Sequence, residues 1–168
     1  MLVRAVRVER TAPRELAHKV LADAVAWFLR GGADRPAAPA DVVIGHHCPW
    51  CAASDHGRPV AALADRESPA VSLSRADGLV VVAVGHAAAV GVDVEPDDAA
   101  SFPGFAGVAL HPGELVADRG PDRTARQRTR IWVRKEAVLK ALGTGLRLDA
   151  RALRVSGPDD PPAVLGID

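Results

Sequence analysis

Tyrosine is absent from the 168 residues, and aromatic side chains make up only 4% of them. Large rings therefore cannot carry the core, which falls to Ala, Val and Leu within a 48% hydrophobic composition. Net charge is absent too: 21 basic side chains balance 21 acidic ones, which argues against a general nucleic-acid binder. No run is long and clean enough to span a bilayer, and the opening "MLVRAVRVERTAPRE" lacks the apolar stretch of a secretory signal. The expectation is a cytoplasmic protein with no membrane partner. Cysteine is scarce, with Cys48 and Cys51 alone. In a reducing compartment the default is free thiols or a metal site, not a structural disulfide. A chain of this length can bury one substantial core, or two small lobes that share one.

Hydrophobic spacing supplies the coarse elements. Residues 13–30, "PRELAHKVLADAVAWFLR", carry Leu16, Val20, Ala24 and Trp27 or Phe28 on one helical stripe, ended by Gly31 and Gly32. A Pro/Ala/Asp loop is expected at 33–41. "VVIGHHCPWCAASDHGRP" reads as a short strand followed by an irregular Cys/His segment. "AVSLS" (70–74) reads as a strand, and "GLVVVAVGH" (78–86) with "AAVGVDVEP" (88–96) as a hairpin stopped by Pro96. A helix is expected over about 122–142, closed by Gly143, and the tail offers one or two strands around a Pro/Asp turn. No repeat and no clear linker appear, so the chain reads as one compact unit.

Charge is uneven along that unit. Residues 119–154 hold 11 Lys or Arg against three acids, Asp122, Glu136 and Asp149. Such a patch suits an anionic small molecule or an acidic partner, and equally a solvated arginine-rich face.

Two carboxylate-bearing pieces stand out. In "GVDVE", Gly91, Asp93 and Glu95 alternate onto one face of an extended chain, which puts the two carboxylates ~7 Å apart at Cα. Both can lean on one cation, and oxygen-only ligands of this kind suit Mg²⁺. A merely solvated strand face is the plainer alternative. In the later helix, Trp132, Glu136 and Lys140 lie at i, i+4 and i+8, stacked on one face and crowded by Arg134 and Lys135. Glu136 and Lys140 could be an ordinary surface pair. They could also form the phosphate-and-metal corner of an anion site.

The two pieces together resemble the signature of the 4'-phosphopantetheinyl transferases. "GVDVE" is followed 37 positions later by "WVRKEAVLKALGTGL", which is similar to that family's G-[IV]-D-[IV]-E strand and W-x-x-K-E-[AS]-x-x-K-A helix. "HGRP" (56–59) resembles its G-[KR]-P element, and "AVSLSRADGLVVVAV" (70–84) resembles its Ser-x-Ser-His strand. The resemblance covers roughly residues 15–148. It favours the larger surfactin-synthetase-activator (Sfp-like) type over the small homotrimeric type.

The resemblance implies an α+β fold with two pseudo-twofold-related lobes, each a small antiparallel sheet on a long helix, here about 1–69 and 70–168. It implies Mg²⁺-dependent transfer of the phosphopantetheine arm of coenzyme A to a serine of an acyl, polyketide or peptidyl carrier protein, releasing 3',5'-ADP, by a monomer that binds no nucleic acid. By motif, Asp93, Glu95 and Glu136 would hold the metal, and Asp93, Glu136 and Lys140 would be catalytic. Gly57, Arg58, Pro59, Ser74, Arg75, Lys135 and Lys140 would bind coenzyme A. The Arg123–Arg134 segment would attract the acidic carrier helix.

Three departures accompany the resemblance. Arg75 stands where the family has histidine, and Arg cannot switch charge near neutral pH. The first helix offers His18 beside Lys19 where the family has an Arg. The chain ends 28 residues after Lys140. A relative that binds coenzyme A or a carrier without turnover, and a metal-dependent phosphodiester hydrolase, are the alternatives. Separately, His46, His47, Cys48, Cys51 and His56 fall within eleven residues. The ligand types suit zinc, but a full site needs four donors and no second C-x-x-C exists, so an ordinary loop with free thiols is the default.

Overall fold

The computed structural model describes residues 1–31, 42–64 and 67–168; the loop expected at 33–41 lies outside them. Strand β1 (Leu2–Arg7) leads into helix α1 (Arg14–Leu29). Strands β2 (Val43–His47) and β3 (Arg58–Ala62) form an antiparallel ribbon. Strands β4 (Ala70–Ala76) and β5 (Leu79–Gly85) join β1 in a three-stranded antiparallel sheet of order β1-β5-β4. The short helix α2 (Phe105–Ala109), the long helix α3 (Pro121–Leu142) and the ribbon β6 (Leu153–Val155) and β7 (Val164–Ile167) complete the chain. Small antiparallel sheets with segregated helices make this an α+β architecture. No helix among the described residues is long and apolar enough to cross a membrane.

The first core joins α1 to the sheet. Ala17, Leu21, Ala24 and Val25 are the buried helix positions, set against Val71, Val80, Val82 and Val84. The buried stripe is therefore rotated by one residue from the expected one: Leu16 and Val20 sit at its margin. Central β5 is buried along most of its length because β1 and β4 flank it and α1 covers one face. Residues 2–7, for which no strand was expected, supply the third strand.

The second core joins α3 to Phe105, Ala109, Leu110, Leu153 and Val155. Helix α3 begins with Pro121 at its first turn and ends on Gly143, whose φ of +71° is the left-handed closure that glycine adopts freely. The cores divide after β5 and not at residue 69, because β4 and β5 pair with β1 and cover α1. Among the described residues the second core has a two-stranded ribbon beside its helix, against a three-stranded sheet beside α1.

One expected hairpin is absent. Leu79–Gly85 turns back on β4 through Asp77 and Gly78, and residues 89–96 join no ladder among the described residues. Alternating valines fit either pairing, so the pattern alone could not choose.

Candidate functional site

Residues 91–95 are held between β4 and α3 by contacts that replace strand pairing. The Val92 N–H donates to Ser72 Oγ at 3.1 Å. On the other side Gly91 lies against the α3 backbone, where an added Cβ would fall 1.8 Å from the Ala137 carbonyl oxygen. Only glycine can cross there, and Ala137 and Ala141 keep the helix surface low. This crossing seats the two acids of "GVDVE" beside the face of α3 that bears Glu136 and Lys140.

Ser74, Asp93 and Lys140 meet at the centre. Ser74 Oγ donates to Asp93 Oδ1 at 2.8 Å, and Lys140 Nζ donates to the same Oδ1 at 2.6 Å and to Ser74 Oγ at 2.9 Å. The Asp93 side chain is only 2% exposed and that of Lys140 30%, so the carboxylate is sealed while the lysine reaches the adjoining hollow. Among the described residues Asp93 Oδ2 is buried with no hydrogen-bond partner, an acceptor that is costly to leave unmatched.

Glu95 and Glu136 gather around this trio. Burial pushes the Glu136 carboxyl above its ordinary range, Asp93 and Glu95 push it further, and Lys140 works against them. Burial and Asp93 likewise raise Glu95, again opposed by Lys140. Three acids thus share one lysine and repel one another, a cluster short of positive charge. The oxygen-only donor set is of the type a hard divalent cation such as Mg²⁺ takes, although among the described residues the three carboxylates do not all converge within 4.8 Å of one another.

Arg58, Pro59 and Lys140 line two adjoining hollows of about 400 Å³ and about 630 Å³. Gly57 and Ser72 face the smaller one, which the 143–147 turn closes from the other side. Across it the Arg147 guanidinium sits 4.7 Å over the Trp50 ring.

Not every expected residue is here. Lys135 points the other way, into the second core, with a side-chain exposure of 0%. Its Nζ pairs with Glu114 Oε2 at 2.6 Å and donates to the carbonyls of Ala109 (2.9 Å) and Ala150 (2.7 Å). The expectation that Lys135 binds a phosphate is corrected: all three ammonium protons have internal partners. Burial pulls its pKa down while Glu114 opposes the shift.

Arg75 takes the face of β4 opposite Ser72 and Ser74, as strand alternation requires, and donates to the Ala12 carbonyl at 2.7 Å. The His18 ring lies 5.0 Å from the His46 ring, tilted 52° to it. The arginine-rich stretch of α3 is largely engaged: Arg126 pairs with Asp97 at 3.1 Å, Arg130 with Asp159 at 3.2 Å, and Arg134 donates to the carbonyls of Ser156, Gly157 and Asp160. Sequence reasoning missed Ser72, although the Ser-x-Ser spacing places it beside Ser74. It also missed Glu114, whose segment carries no periodic pattern.

Residues 89–166 match the family model of the 4'-phosphopantetheinyl transferase superfamily. That span holds α3, Asp93, Glu95, Glu136 and Lys140, so the match supports the superfamily through the same stretch that builds most of the site. It supports phosphopantetheinyl transfer in general, a reaction in which the superfamily uses coenzyme A and a carrier protein. No curated protein matches the chain at a significant level.

Proposed function

We propose that this chain is a Mg²⁺-dependent 4'-phosphopantetheinyl transferase of the surfactin-synthetase-activator type, acting on a serine of an acyl, polyketide or peptidyl carrier protein. The observation that carries the reading is the convergence of Ser74, Asp93 and Lys140 at an opening edged by Arg58 and Pro59, with Glu95 and Glu136 beside them.

In this reaction the serine oxygen forms a bond to the phosphorus next to pantetheine. The bridging P–O bond of the pyrophosphate breaks, and 3',5'-ADP leaves with its electron pair. Catalysis of such a displacement is mostly positioning and charge stabilisation. Asp93, Glu95 and Glu136 would hold Mg²⁺, and the bound ion would neutralise charge on the pyrophosphate oxygens. Lys140, paired with Asp93 but still partly exposed, would face the phosphates. Ser74 and Asp93 hold its ammonium in place. A carboxylate or a metal-held water would take the serine proton, and Glu136 is the side-chain candidate for that role. Gly57, Arg58 and Pro59 supply the wall against the nucleotide end.

The test is incubation with coenzyme A, Mg²⁺ and several apo-carrier proteins, read by intact mass. A phosphopantetheine adduct that is lost in Asp93→Ala and Glu136→Ala supports the reading. A second reading, binding without turnover, draws on Arg75, which bonds Ala12 in place of facing the trio. Calorimetric binding of coenzyme A with no adduct on any carrier would select it.

A further inference from the structure

The β2–β3 connection, residues 48–57, does work that the transfer reaction leaves unexplained. It closes on itself just beyond the last ladder pair, His47 with Arg58. The Ala52 N–H donates to the Cys48 carbonyl at 2.9 Å, and the Cys48 N–H to the Ala53 carbonyl at 3.0 Å. Ala52 holds φ +57°, a left-handed position that a non-glycine residue adopts only at a cost. Gly57 holds φ +96°, and a Cβ there would strike the His47 carbonyl oxygen at 2.4 Å. That close return swings His56 back over the cysteine turn.

The result is a compact donor cluster. Donor atoms of Cys48, Cys51 and His56 all lie within 4.8 Å of one another. Cys51 Sγ and His56 Nε2 are 3.3 Å apart. Tetrahedral zinc at ordinary Zn–S and Zn–N lengths places neighbouring donors about 3.3–3.8 Å apart, so little adjustment separates this geometry from a closed site. Asp55 adds a second, independent feature. Its Oδ1 lies 2.7 Å from His56 Nδ1, and a carboxylate can only accept there. Nδ1 therefore carries the proton and the Nε2 lone pair faces the thiols, the carboxylate–histidine arrangement that orients metal-binding imidazoles. The five donors seen in sequence divide: His46 turns away toward Arg14 and His18.

We propose that Cys48, Cys51 and His56 bind one Zn²⁺ ion, with Asp55 orienting His56 and a water in the fourth, solvent-facing position. Two thiolates and an imidazole select a borderline-soft ion over the hard cation suited to the carboxylates of the other site. The ion would brace the turn that bears Trp50 and leads into Arg58 and Pro59, and so stiffen one wall of the hollow beside Lys140. The inference stands whether or not the chain transfers phosphopantetheine.

The experiment uses the full-length protein, kept reduced and stripped of metal, titrated with Co²⁺ alone and then with Zn²⁺. The expected result is a near-ultraviolet thiolate-to-cobalt band that saturates at one equivalent and is bleached by one equivalent of Zn²⁺. Cys51 and His56 are exposed, so Cys51→Ser and His56→Ala should fold normally, which circular dichroism checks. Each should lose at least about tenfold in Zn²⁺ affinity, and Asp55→Asn about tenfold. Absence of the cobalt band, or full affinity in His56→Ala, overturns the site. So does a Cys48–Cys51 disulfide that forms in air equally fast with and without Zn²⁺.

Discussion

The two cores are built on different terms. Around α1, Leu21, Val25, Val80, Val82 and Val84 are aliphatic and essentially sealed. Around α3, Ile131, Leu139, Leu153 and Val155 are as well sealed, but a lysine and a glutamate lie among them. Glu114 Oε2 takes the Lys135 ammonium at 2.6 Å and the His111 N–H at 2.8 Å, while Oε1 takes the Val155 N–H at 2.6 Å. One carboxylate thus ties α3, the 112–114 turn and β6 together. The first core needs only buried area, since its sheet already aligns its parts. The second has a two-stranded ribbon and a long helix, and directional bonds fix their register. That matters for the site, because Lys135 and Glu136 are adjacent: anchoring one aims the other.

The sharpest way to break this contrast is to cut one partner from each core. Glu114→Ala leaves a buried ammonium uncompensated and should cost about 3–5 kcal/mol, read by urea unfolding. Leu21→Ala should cost about 3 kcal/mol through lost burial and a cavity. The two then separate on rescue. Adding Lys135→Met to Glu114→Ala should recover part of the loss, because the stranded charge goes with it. The recovery stays incomplete, since the His111 and Val155 N–H groups remain unmatched. If Lys135→Met recovers nothing, the pair is not what holds the second core.

The next effect contrasts Glu136 with its neighbour Lys135: one charge is satisfied, the other is not. A carboxyl with a raised pKa takes its proton in the fold before the unfolded chain does as pH falls. The folded state is therefore penalised above the raised value, and the penalty fades as pH drops toward the ordinary 4.5. Glu136→Gln should accordingly be more stable than the parent at neutral pH, by about 1 kcal/mol, with the gap closing in acid. If Glu136 is the base, the same variant should lose at least about 100-fold in transfer rate. Mg²⁺ should raise the melting temperature of the parent more than that of the variant. A variant less stable at every pH would mean that Glu136 is a packing residue.

Much of this was legible in the sequence. The Gly143 stop, the period of α3 and the alternation of β4 marked their elements. The distant pieces "GVDVE" and "KEAVLK" do meet, Asp93 against Lys140. What stayed hidden has physical causes. The valines of β5 fit a partner on either side, so the pairing with β1 and β4 was not decidable. Lys135 lies on a helix rich in arginines, and nothing local says that its partner sits 21 positions upstream. The crossing at Gly91 depends on the bulk of a helix 46 residues away. Cys48, Cys51 and His56 were visible as types, but their convergence rests on the return at Gly57.

The smallest expected effect concerns the first core's contribution to the site. That contribution comes from one face of β4: Ser72 holds Val92, and Ser74 holds Asp93 and Lys140. Arg75 lies on the opposite face, exposed, with its guanidinium on the Ala12 carbonyl. An exposed bond of this kind contributes about 0.5–1.5 kcal/mol at most. Arg75→Ala should therefore lower stability by no more than about 1 kcal/mol and leave KM for coenzyme A within about twofold. Ser74→Ala, by contrast, strips Asp93 Oδ1 and Lys140 of a shared partner and should lower kcat by about tenfold, the loss of one positioning hydrogen bond. A KM that rises tenfold in Arg75→Ala would show that the guanidinium leaves Ala12 for the nucleotide, and that both faces of β4 serve the site.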